Sequence, residues 1–475
     1  MRVLAIDQGT SATKAVVVVD GVVISQAECA CPPTAAADGA VEVDPEMLWQ
    51  SVLDAGRAAV AQAGGHPPDA VGLANQGETI VAWDRATGNP VGPAIAWQDR
   101  RSAELCDRLR AHGWGDRLAR ITGLELDPYF VAPKIAWLRA KVGTSPTITT
   151  TDVWLLNRLC GSFVTDVATA SRTLLLDLDT VAWSDAACGA FGIDPATLPA
   201  VVGNAGVIGE TTWFSAAAVP VSGLCVDQQA ALFAESCEAA GEAKCTYGTG
   251  AFLLASTGHT PTRSSNGLVG CVAWQMDGAT TWCLDGQVYT VGAAVSWLQE
   301  VGLINAPSDL DALGGSVASG DGVQFVPGLA GLGAPFWAPN AKGSLTGLSL
   351  GSSRAHVVRA VIEGIAAQVA WLARAAGADL GTPLVRLRVD GGLTRSKVLL
   401  QVQADLLQVP IEVYPSPDAT ALGVATFAAI GLGDRQAAAP WQPAAVVEPT
   451  ISAAEAEERL HRWRAVAEAT LDLYD

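Results

Sequence analysis

Asp227 is in the sequence surroundings of a general base. It follows an apolar run that ends at Val226 and precedes an Ala-rich segment with the composition of a helix. A carboxylate in this place could simply cap the helix, because Asp is a preferred N-terminal capping residue. It could also accept the proton of an attacking hydroxyl during phosphoryl transfer. The local sequence alone leaves both interpretations open.

Two Gly- and Thr-rich turns have the composition of phosphate-binding loops. The first runs from Asp7 to Lys14 (DQGTSATK), and the second is Tyr247-Gly248-Thr249-Gly250, each between two apolar strands. Such turns offer backbone N–H groups and hydroxyls to an anion. Lys14 can add a positive charge, and Asp7 can hold a magnesium ion through water. An ordinary hairpin turn fits either segment alone, but together they predict two turns facing each other across a cleft, one for each end of a triphosphate.

A third glycine pair lies at Gly391-Gly392, between an apolar run at 384–389 and a segment with helical periodicity. A strand followed by two glycines and a helix lets the backbone approach a ligand closely at the helix N-terminus. A Walker A loop is excluded, because no Gly-Lys-Ser/Thr sequence follows. The alternative is a plain loop between a strand and a helix.

Composition favours a small-molecule partner. The 475 residues carry a formal net charge of −19, which would repel nucleic acid and anionic membranes. Ten scattered Cys without a CxxC pair, and five isolated His, make a zinc site or a catalytic His a poor interpretation. Such Cys are typical of buried thiols in a reducing compartment. The first apolar run has four residues and no run reaches the length of a membrane span, so we expect a soluble, cytoplasmic protein.

Hydrophobic periodicity predicts a mixed α/β chain of two related halves. The first half opens with apolar runs at 2–6, 15–19 and 22–26, which predicts a β-meander. A similar strand, Gly/Thr turn and strand begin near residue 244. We therefore expect an N-terminal, substrate-binding domain of residues 1–235 and a C-terminal, ATP-binding domain of residues 236–475. Further predicted strands lie at 70–83, 91–97, 322–327, 384–389 and 411–414, and predicted helices at 46–64, 101–112, 129–142, 291–304, 355–378, 396–408, 419–432 and 451–472.

The order of these motifs resembles the FGGY family of carbohydrate kinases, and within it the glycerol kinase branch. The likeness extends from residue 3 to about residue 432, and this many motifs in one order are highly specific. The segments that carry the resemblance are DQGT at 7–10, VEVDP at 41–45, NQGET at 75–79, WQDRR at 97–101, DPYF at 127–130, TD at 165–166, ASRT at 170–173, DQQAALF at 227–233, TYGTG at 246–250, GLGAPFW at 331–337, the run 343–363 and VDGG at 389–392.

The resemblance implies an α/β protein of two actin/hexokinase-like (ribonuclease H-like) domains with an interdomain cleft. Domain closure would exclude water from an ATP-dependent phosphorylation of a small polyol or sugar. Asp7 would position Mg²⁺, and Asp227 would be the general base. The nucleotide would be held by phosphate contacts from Thr10, Ser11, Lys14 and Thr249, and lined by Gly292, Gly391, Gly392 and Ser396. The acceptor pocket, carried over residue by residue, comprises Gly77, Glu78, Trp97, Tyr129, Asp227, Gln228 and Phe252.

Gly77 is the main departure from the glycerol kinase branch, whose members carry Arg beside the glutamate. Losing a guanidinium would remove up to five hydrogen-bond donors and open space, so a longer polyol or a ketose could be the acceptor. The alternatives are a kinase for a tetritol or a pentulose such as xylulose, and, in another class, a non-catalytic sugar sensor or an actin-like ATPase. The Gly77-Glu78 pair favours a polyol, and the acid at Asp227 favours an enzyme. Because relatives often form dimers or tetramers, we expect a homo-oligomer.

Overall fold

A computed structural model of the protein describes residues 1–437 and 440–474. Its strands are β1 Arg2–Gln8, β2 Ala12–Val19, β3 Val22–Ala30, β4 Thr34–Ala35, β5 Val41–Val43, β6 Ala70–Asn75, β7 Ile80–Trp83, β8 Ala94–Ile95, β9 Thr147–Thr150, β10 Val164–Asp166, β11 Leu176–Asp177, β12 Ala182–Trp183, β13 Ala200–Val202, β14 Ala205–Thr211, β15 Val219–Val226, β16 Ala243–Tyr247, β17 Ala251–Gly258, β18 Val269–Met276, β19 Ala279–Val288, β20 Gln324–Val326, β21 Ser344–Thr346, β22 Leu387–Asp390, β23 Ile411–Val413 and β24 Ala445–Val447.

The helices are interspersed among the strands along the chain. They are α1 Pro45–Gln62, α2 Ala103–Ala111, α3 Trp114–Thr122, α4 Val131–Val142, α5 Thr151–Cys160, α6 Val167–Ser171, α7 Asp185–Ala190, α8 Asp227–Ala234, α9 Gly292–Glu300, α10 Asp309–Gly314, α11 Arg354–Leu380, α12 Lys397–Leu407, α13 Ala419–Gly431 and α14 Ala453–Leu471. Two short 3₁₀ turns occupy Pro195–Thr197 and Gly392–Arg395.

Two large sheets repeat one arrangement. The first has the strand order β14-β15-β6-β1-β2-β3, with an antiparallel meander from β1 to β3 and parallel pairing of β1 with β6 and of β6 with β15. The second has the order β18-β19-β17-β16-β22-β23-β24, with antiparallel pairing from β16 through β17 and β19 to β18 and parallel pairing of β16 with β22 and of β22 with β23. The predicted repetition of the two halves is confirmed, and with it the two-domain α/β fold class.

A smaller five-stranded sheet, of order β4-β5-β8-β7-β9, is attached to the first large sheet. Glu78 lies just before β7, Trp97 just after β8, and Tyr129 just before α4, which packs on β7 and β9. Three side chains predicted to bind the acceptor therefore come from the ends of elements in one subdomain.

α13 lies late in the chain but packs on the first large sheet. Its residues share a buried core with Val3 and Ala5 of β1 and with α8. Glycines allow the close approach, because a Cβ at Gly72 of β6 would lie 2.6 Å from the carbonyl oxygen of Val424. The chain therefore returns to the first layer after building most of the second.

α11 is apolar and long enough, by length and composition, to cross a membrane. In the structure, 67% of its most apolar window is buried, and its side chains form the centre of the core beneath the second sheet. A core helix of a globular domain has the same composition, and α11 is such a helix.

Most predicted elements exist with boundaries shifted by a few residues, but three differ. The predicted strand 70–83 is divided into β6 and β7 by the loop that carries Gly77 and Glu78. Only Ala94–Ile95 of the predicted strand 91–97 is a strand. The long hairpin of β18 and β19 was not predicted, although it completes the face of the second domain that meets the first.

Candidate active site

Asp227 occupies the first position of α8, directly after β15. The capping position belongs to Val226, so the capping interpretation of Asp227 is wrong. Its Oδ1 accepts a hydrogen bond from the backbone N–H of Gln228 at 2.7 Å. Burial raises the pKa of Asp227 above its ordinary value, while the charge of Lys244 acts in the opposite direction. A carboxylate with a raised pKa at the carboxyl end of a parallel strand is well suited to accept a proton.

Lys244 completes this centre and was missed by sequence reasoning. It is fully buried on β16, and its Nζ donates to Gln228 Oε1 at 2.6 Å and to Thr246 Oγ1 at 2.7 Å. Its positive charge lowers the pKa of both Asp227 and Asp390. The sequence signal was present, because a lone Lys inside an otherwise apolar strand is rarely buried without a charged or polar partner.

Asp7 lies among further carboxylates at the end of β1. Burial and the negative charge of Asp227 raise the pKa of Asp7 to about 7, with smaller contributions from Asp418 and Asp390, while Lys14 acts in the opposite direction. Lys14 Nζ forms an ion pair with Asp418 Oδ1 at 3.0 Å. The predicted phosphate-binding lysine therefore has an acidic partner from the start of α13, and negative charge is concentrated around the end of β1.

The oxygen donors around Asp7 suit a hard cation such as Mg²⁺. Within residues 1–437 and 440–474, no three carboxylate, His or Cys side chains are placed to bind one metal ion together. Mg²⁺ usually keeps several waters and joins one or two carboxylates to phosphate oxygens. The arrangement therefore fits a magnesium ion that arrives with a nucleotide, rather than a cage built by the protein alone.

The glycine-rich segments of the second half converge on one surface. A Cβ at Gly391, where φ is +94°, would lie 2.5 Å from the carbonyl oxygen of Tyr247, and a Cβ at Gly292 would lie 2.6 Å from that of Gly248. The carbonyl oxygen of Thr249 accepts the N–H of Val291 at 3.0 Å. Three predicted nucleotide-binding positions, at 249, 292 and 391, are thus brought together by backbone approaches that only glycine permits.

Gly392 and Ser396 continue this surface toward α12. A Cβ at Gly392 would meet no heavy atom within 4 Å. The hydroxyl of Ser396 accepts the N–H of Leu399, capping α12, and donates to a carboxylate oxygen of Asp311. Ser396 therefore has a structural role at the start of the helix, and its predicted contact with the nucleotide stays a prediction.

The first turn is joined to the predicted acceptor pocket. Thr10 Oγ1 accepts a hydrogen bond from Trp97 Nε1 at 2.9 Å. Gly9 N–H closes the turn on the carbonyl oxygen of Ala12 at 3.0 Å, and Ser11 is exposed beside it. A shift of this turn would therefore move the Trp97 ring.

Three aromatic side chains meet at the pocket. The ring centroid of Trp97 lies 5.7 Å from that of Tyr129 and 6.2 Å from that of Phe252, both in edge-to-face geometry. Trp97 and Tyr129 belong to the first domain, whereas Phe252 is on β17 of the second. The predicted grouping of these side chains is present, and it spans the interface between the domains.

Arg172 organises the polar side of the pocket and was missed as a site residue. Its buried guanidinium donates to the side-chain oxygens of three residues: Nε to Glu78, Nη1 to Asp285 of the second domain, and Nη2 to the hydroxyl of Tyr129 at 3.2 Å. Burial raises the pKa of Glu78, while the charge of Arg172 acts in the opposite direction. A buried, paired guanidinium of this kind fixes the geometry of its carboxylates.

The expectation that Gly77 removes a guanidinium beside Glu78 and opens space for a longer acceptor stays a prediction. A Cβ at Gly77 would lie 3.1 Å from Val226 Cγ2 and 3.6 Å from Arg172 Nε. Val226 and Arg172 therefore limit the space directly beside Gly77, and Arg172 brings a guanidinium to the neighbouring Glu78.

Comparison with protein families assigns both halves of the chain to one family. The N-terminal domain of the FGGY family of carbohydrate kinases matches residues 2–234, and the C-terminal domain of the same family matches residues 243–432. The chain belongs to the FGGY family of carbohydrate kinases. As an FGGY kinase it is an ATP-dependent phosphotransferase, and the two matched segments correspond to the two large sheets.

The individual relatives of this FGGY kinase include glycerol kinases and xylulose kinases. It is 41% identical over 485 residues to the glycerol kinase of Thermus brockianus, covering 98% of this chain and 97% of that one. Its fold matches the crystal structure of Plasmodium falciparum glycerol kinase with ADP at a TM-score of 0.91 and 30% identity, over 99% and 98% of the two chains. It matches the xylulose kinase of Lactobacillus acidophilus at a TM-score of 0.88 and 21% identity, over 100% and 99%, which shows the shared fold.

Proposed function

We propose that this FGGY kinase transfers the γ-phosphoryl group of MgATP to a hydroxyl of a neutral polyol, with Asp227 as the general base. The observation that carries the proposal is the place of Asp227, between the carboxylate and turn cluster around Asp7 on one side and the Glu78–Arg172 pair on the other. Phosphoryl transfer requires mainly positioning and charge stabilisation around such a base.

The acceptor side has groups for binding hydroxyls rather than a charged group. Glu78 and Asp285 are negative and Arg172 is positive, and all three are buried and paired with one another. The rings of Trp97 and Phe252 offer apolar surface to a carbon chain. A neutral polyol matches this combination, because its hydroxyls find fixed partners and its carbons contact aromatic faces.

On the nucleotide side, the turns at Thr10 and Thr249 would hold phosphate oxygens through backbone N–H groups. Lys14 would exchange part of its contact with Asp418 for the nucleotide, and Asp7 would hold Mg²⁺ through water. The bound ion would neutralise charge on the transferring phosphoryl group. Gly391 would allow the close approach of the nucleotide to the backbone.

We expect the reaction to take place in the cytoplasm. All ten Cys are free thiols, and the Sγ atoms of Cys271 and Cys283 are 3.5 Å apart without a covalent bond. Buried thiols this close fit a reducing compartment. The partners are a small-molecule acceptor and a nucleotide, with neither nucleic acid nor membrane involved, and we expect the enzyme to form a homo-oligomer.

The test is an ADP-release assay with glycerol, erythritol, threitol, arabitol, xylitol, dihydroxyacetone and pentuloses. We expect Asp227→Asn to lower kcat by roughly 10²- to 10⁴-fold on the best acceptor, with ATP affinity changed by no more than a few-fold. Asp54→Asn, at an exposed carboxylate on α1, is the matched control and should behave as wild type. Turnover by Asp227→Asn near the wild-type rate, or no turnover of any acceptor by the wild type, would overturn the proposal.

A further inference from the structure

Two polar residues of β19 face the first domain. Between them, Gly286 faces α11, since a Cβ there would lie 2.9 Å from Leu372 Cδ2. Because successive side chains of a strand point to opposite faces, Asp285 and Gln287 project away from α11. The contact of Asp285 with Arg172 agrees with this direction. The second domain thus presents a carboxylate and a carboxamide to the acceptor side of the cleft.

Gln287 lies beside the aromatic part of the pocket. It is directly opposite Phe252 in the antiparallel pair of β17 and β19, and such partners have Cβ atoms about 4.5–5.5 Å apart on one face. The Phe252 ring is 6.2 Å from that of Trp97. Gln287 has 0% of its surface exposed, so its carboxamide is held within this wall rather than in solvent.

The carboxamide has one engaged end and one free end. Gln287 Nε2 donates to Asp285 Oδ2 at 2.9 Å, which fixes the orientation, because the reversed amide would place an oxygen against the carboxylate. Gln287 Oε1 and Asp285 Oδ1 are buried, and neither has a hydrogen-bond partner in the part of the chain that the structure describes. Buried acceptors are almost always satisfied, if not by protein then by water or a ligand.

The hydroxyls of a four-hydroxyl acceptor would match the free oxygens on this side of the cleft one for one. Glu78 has one oxygen engaged by Arg172 and Asp227 has one engaged by a backbone N–H, which leaves one oxygen each for the acceptor. The opposing wall adds Oδ1 of Asp285 and Oε1 of Gln287. Glycerol brings three hydroxyl donors, whereas a tetritol or a pentulose brings four.

We propose that Gln287, oriented by Asp285, binds a hydroxyl remote from the one that is phosphorylated, and that the acceptor is a polyol or ketose of four or five carbons. The inference rests on the proposed kinase function and names its substrate class. Discrimination by length then comes from the second domain, and a short acceptor leaves a buried acceptor atom unsatisfied. A site built to bind a hydroxyl rejects analogues that lack it.

The experiment compares kcat/KM for glycerol, erythritol, D-threitol, xylitol and D-xylulose, measured by ADP release, in the wild type and in Gln287→Ala. We expect the wild type to use one of the longer acceptors at least about tenfold better than glycerol. The variant should lower that ratio by about tenfold, the usual worth of one hydrogen bond to a bound hydroxyl, while its kcat/KM for glycerol changes by no more than a few-fold.

Gln368→Ala is the matched control. Gln368 is a buried glutamine of the same domain with an unpaired Oε1, and its Nε2 donates to the carbonyl oxygen of Ala334 at 3.3 Å. It lies on α11, behind the sheet. Its replacement should lower stability to a similar extent and leave the ratio of specificity constants at the wild-type value.

The outcomes separate this inference from the proposed function. If the wild type prefers glycerol, or if Gln287→Ala leaves the ratio within twofold, the role of Gln287 is wrong and the polyol kinase function stands. If both variants lower the ratio equally, the effect is one of packing and the inference is again wrong. If the wild type phosphorylates none of the acceptors, the proposed function itself fails.

Discussion

Replacing Lys244 by Met should move the acidic limb of the pH profile. The buried ammonium of Lys244 binds the side chain of Gln228, whose backbone N–H donates to Asp227, and its charge opposes the burial that raises the pKa of Asp227. At an effective dielectric constant of about 20, two unit charges roughly 6 Å apart interact by about 3 kcal/mol. Removing the ammonium should therefore raise the pKa of Asp227 further, and a shift of one pH unit in a titration corresponds to about 1.4 kcal/mol.

The base must be ionised to accept a proton, so a higher pKa costs activity at low pH. The acidic limb of kcat/KM should therefore shift upward by about one to two pH units in Lys244→Met, and activity should partly recover as the pH rises. The assay is ADP release from about pH 5 to 9 at saturating MgATP. Thr246→Val is the control, because it removes the other acceptor of the ammonium at 2.7 Å and keeps the charge.

The shape of the profile decides the outcome. Loss of activity by the same factor at every pH, with the acidic limb in its wild-type place, would refute the electrostatic reasoning and leave Lys244 with a packing role. An equal shift in Thr246→Val would show that hydrogen bonding, rather than charge, sets the pKa of the base.

Two further perturbations test the nucleotide side. Gly391→Ala places a Cβ 2.5 Å from the carbonyl oxygen of Tyr247 and should raise KM for ATP at least about tenfold. Gly392→Ala is the control, because the space around that Cβ is open, and its KM for ATP should stay within about twofold of the wild-type value. An equal rise of KM in both variants would contradict the close-approach argument. Asp7→Asn removes a carboxyl group. Burial raises the pKa of Asp7 from 3.8 to about 7, so the folded state binds the proton of this carboxyl more tightly than the unfolded chain does. The free energy of unfolding of the wild type should then fall by up to about 4 kcal/mol as the pH rises from about 4 to 7. Asp7→Asn should therefore have a higher melting temperature than the wild type at pH 8 without Mg²⁺. It should also need more Mg²⁺ for turnover. An unchanged Mg²⁺ dependence would remove Asp7 from the metal site.

The motif-bearing turns could be predicted from sequence because their chemistry is local. A Gly/Thr turn between apolar strands determines its own shape, so the positions of Thr10, Thr249 and Gly391 followed from composition and order. The repeated meander followed from periodicity in the same way. For Asp227, the local sequence left two interpretations open, and the capping one failed because Val226 occupies the capping position.

The partners across the cleft could not be predicted, because they depend on packing between distant segments. Arg172 lies 94 residues from Glu78 and 113 from Asp285 along the chain, and no pattern in any of the three segments names the other two. The same holds for Lys14 and Asp418, separated by 404 residues. The neighbours of Gly77 are a further example, since Val226 and Arg172 come from distant segments of the chain.

The return of α13 to the first sheet has a consequence for synthesis of the chain. A ribosome releases residues 1–235 long before residues 419–431, so the first domain is made without the helix that covers one face of its sheet. That face carries Ala5 and Ala74, which are fully buried in the finished protein, and stays uncovered while about two hundred residues of the second domain emerge. The first domain should therefore reach its final stability only when the second is nearly complete, and the two should unfold together.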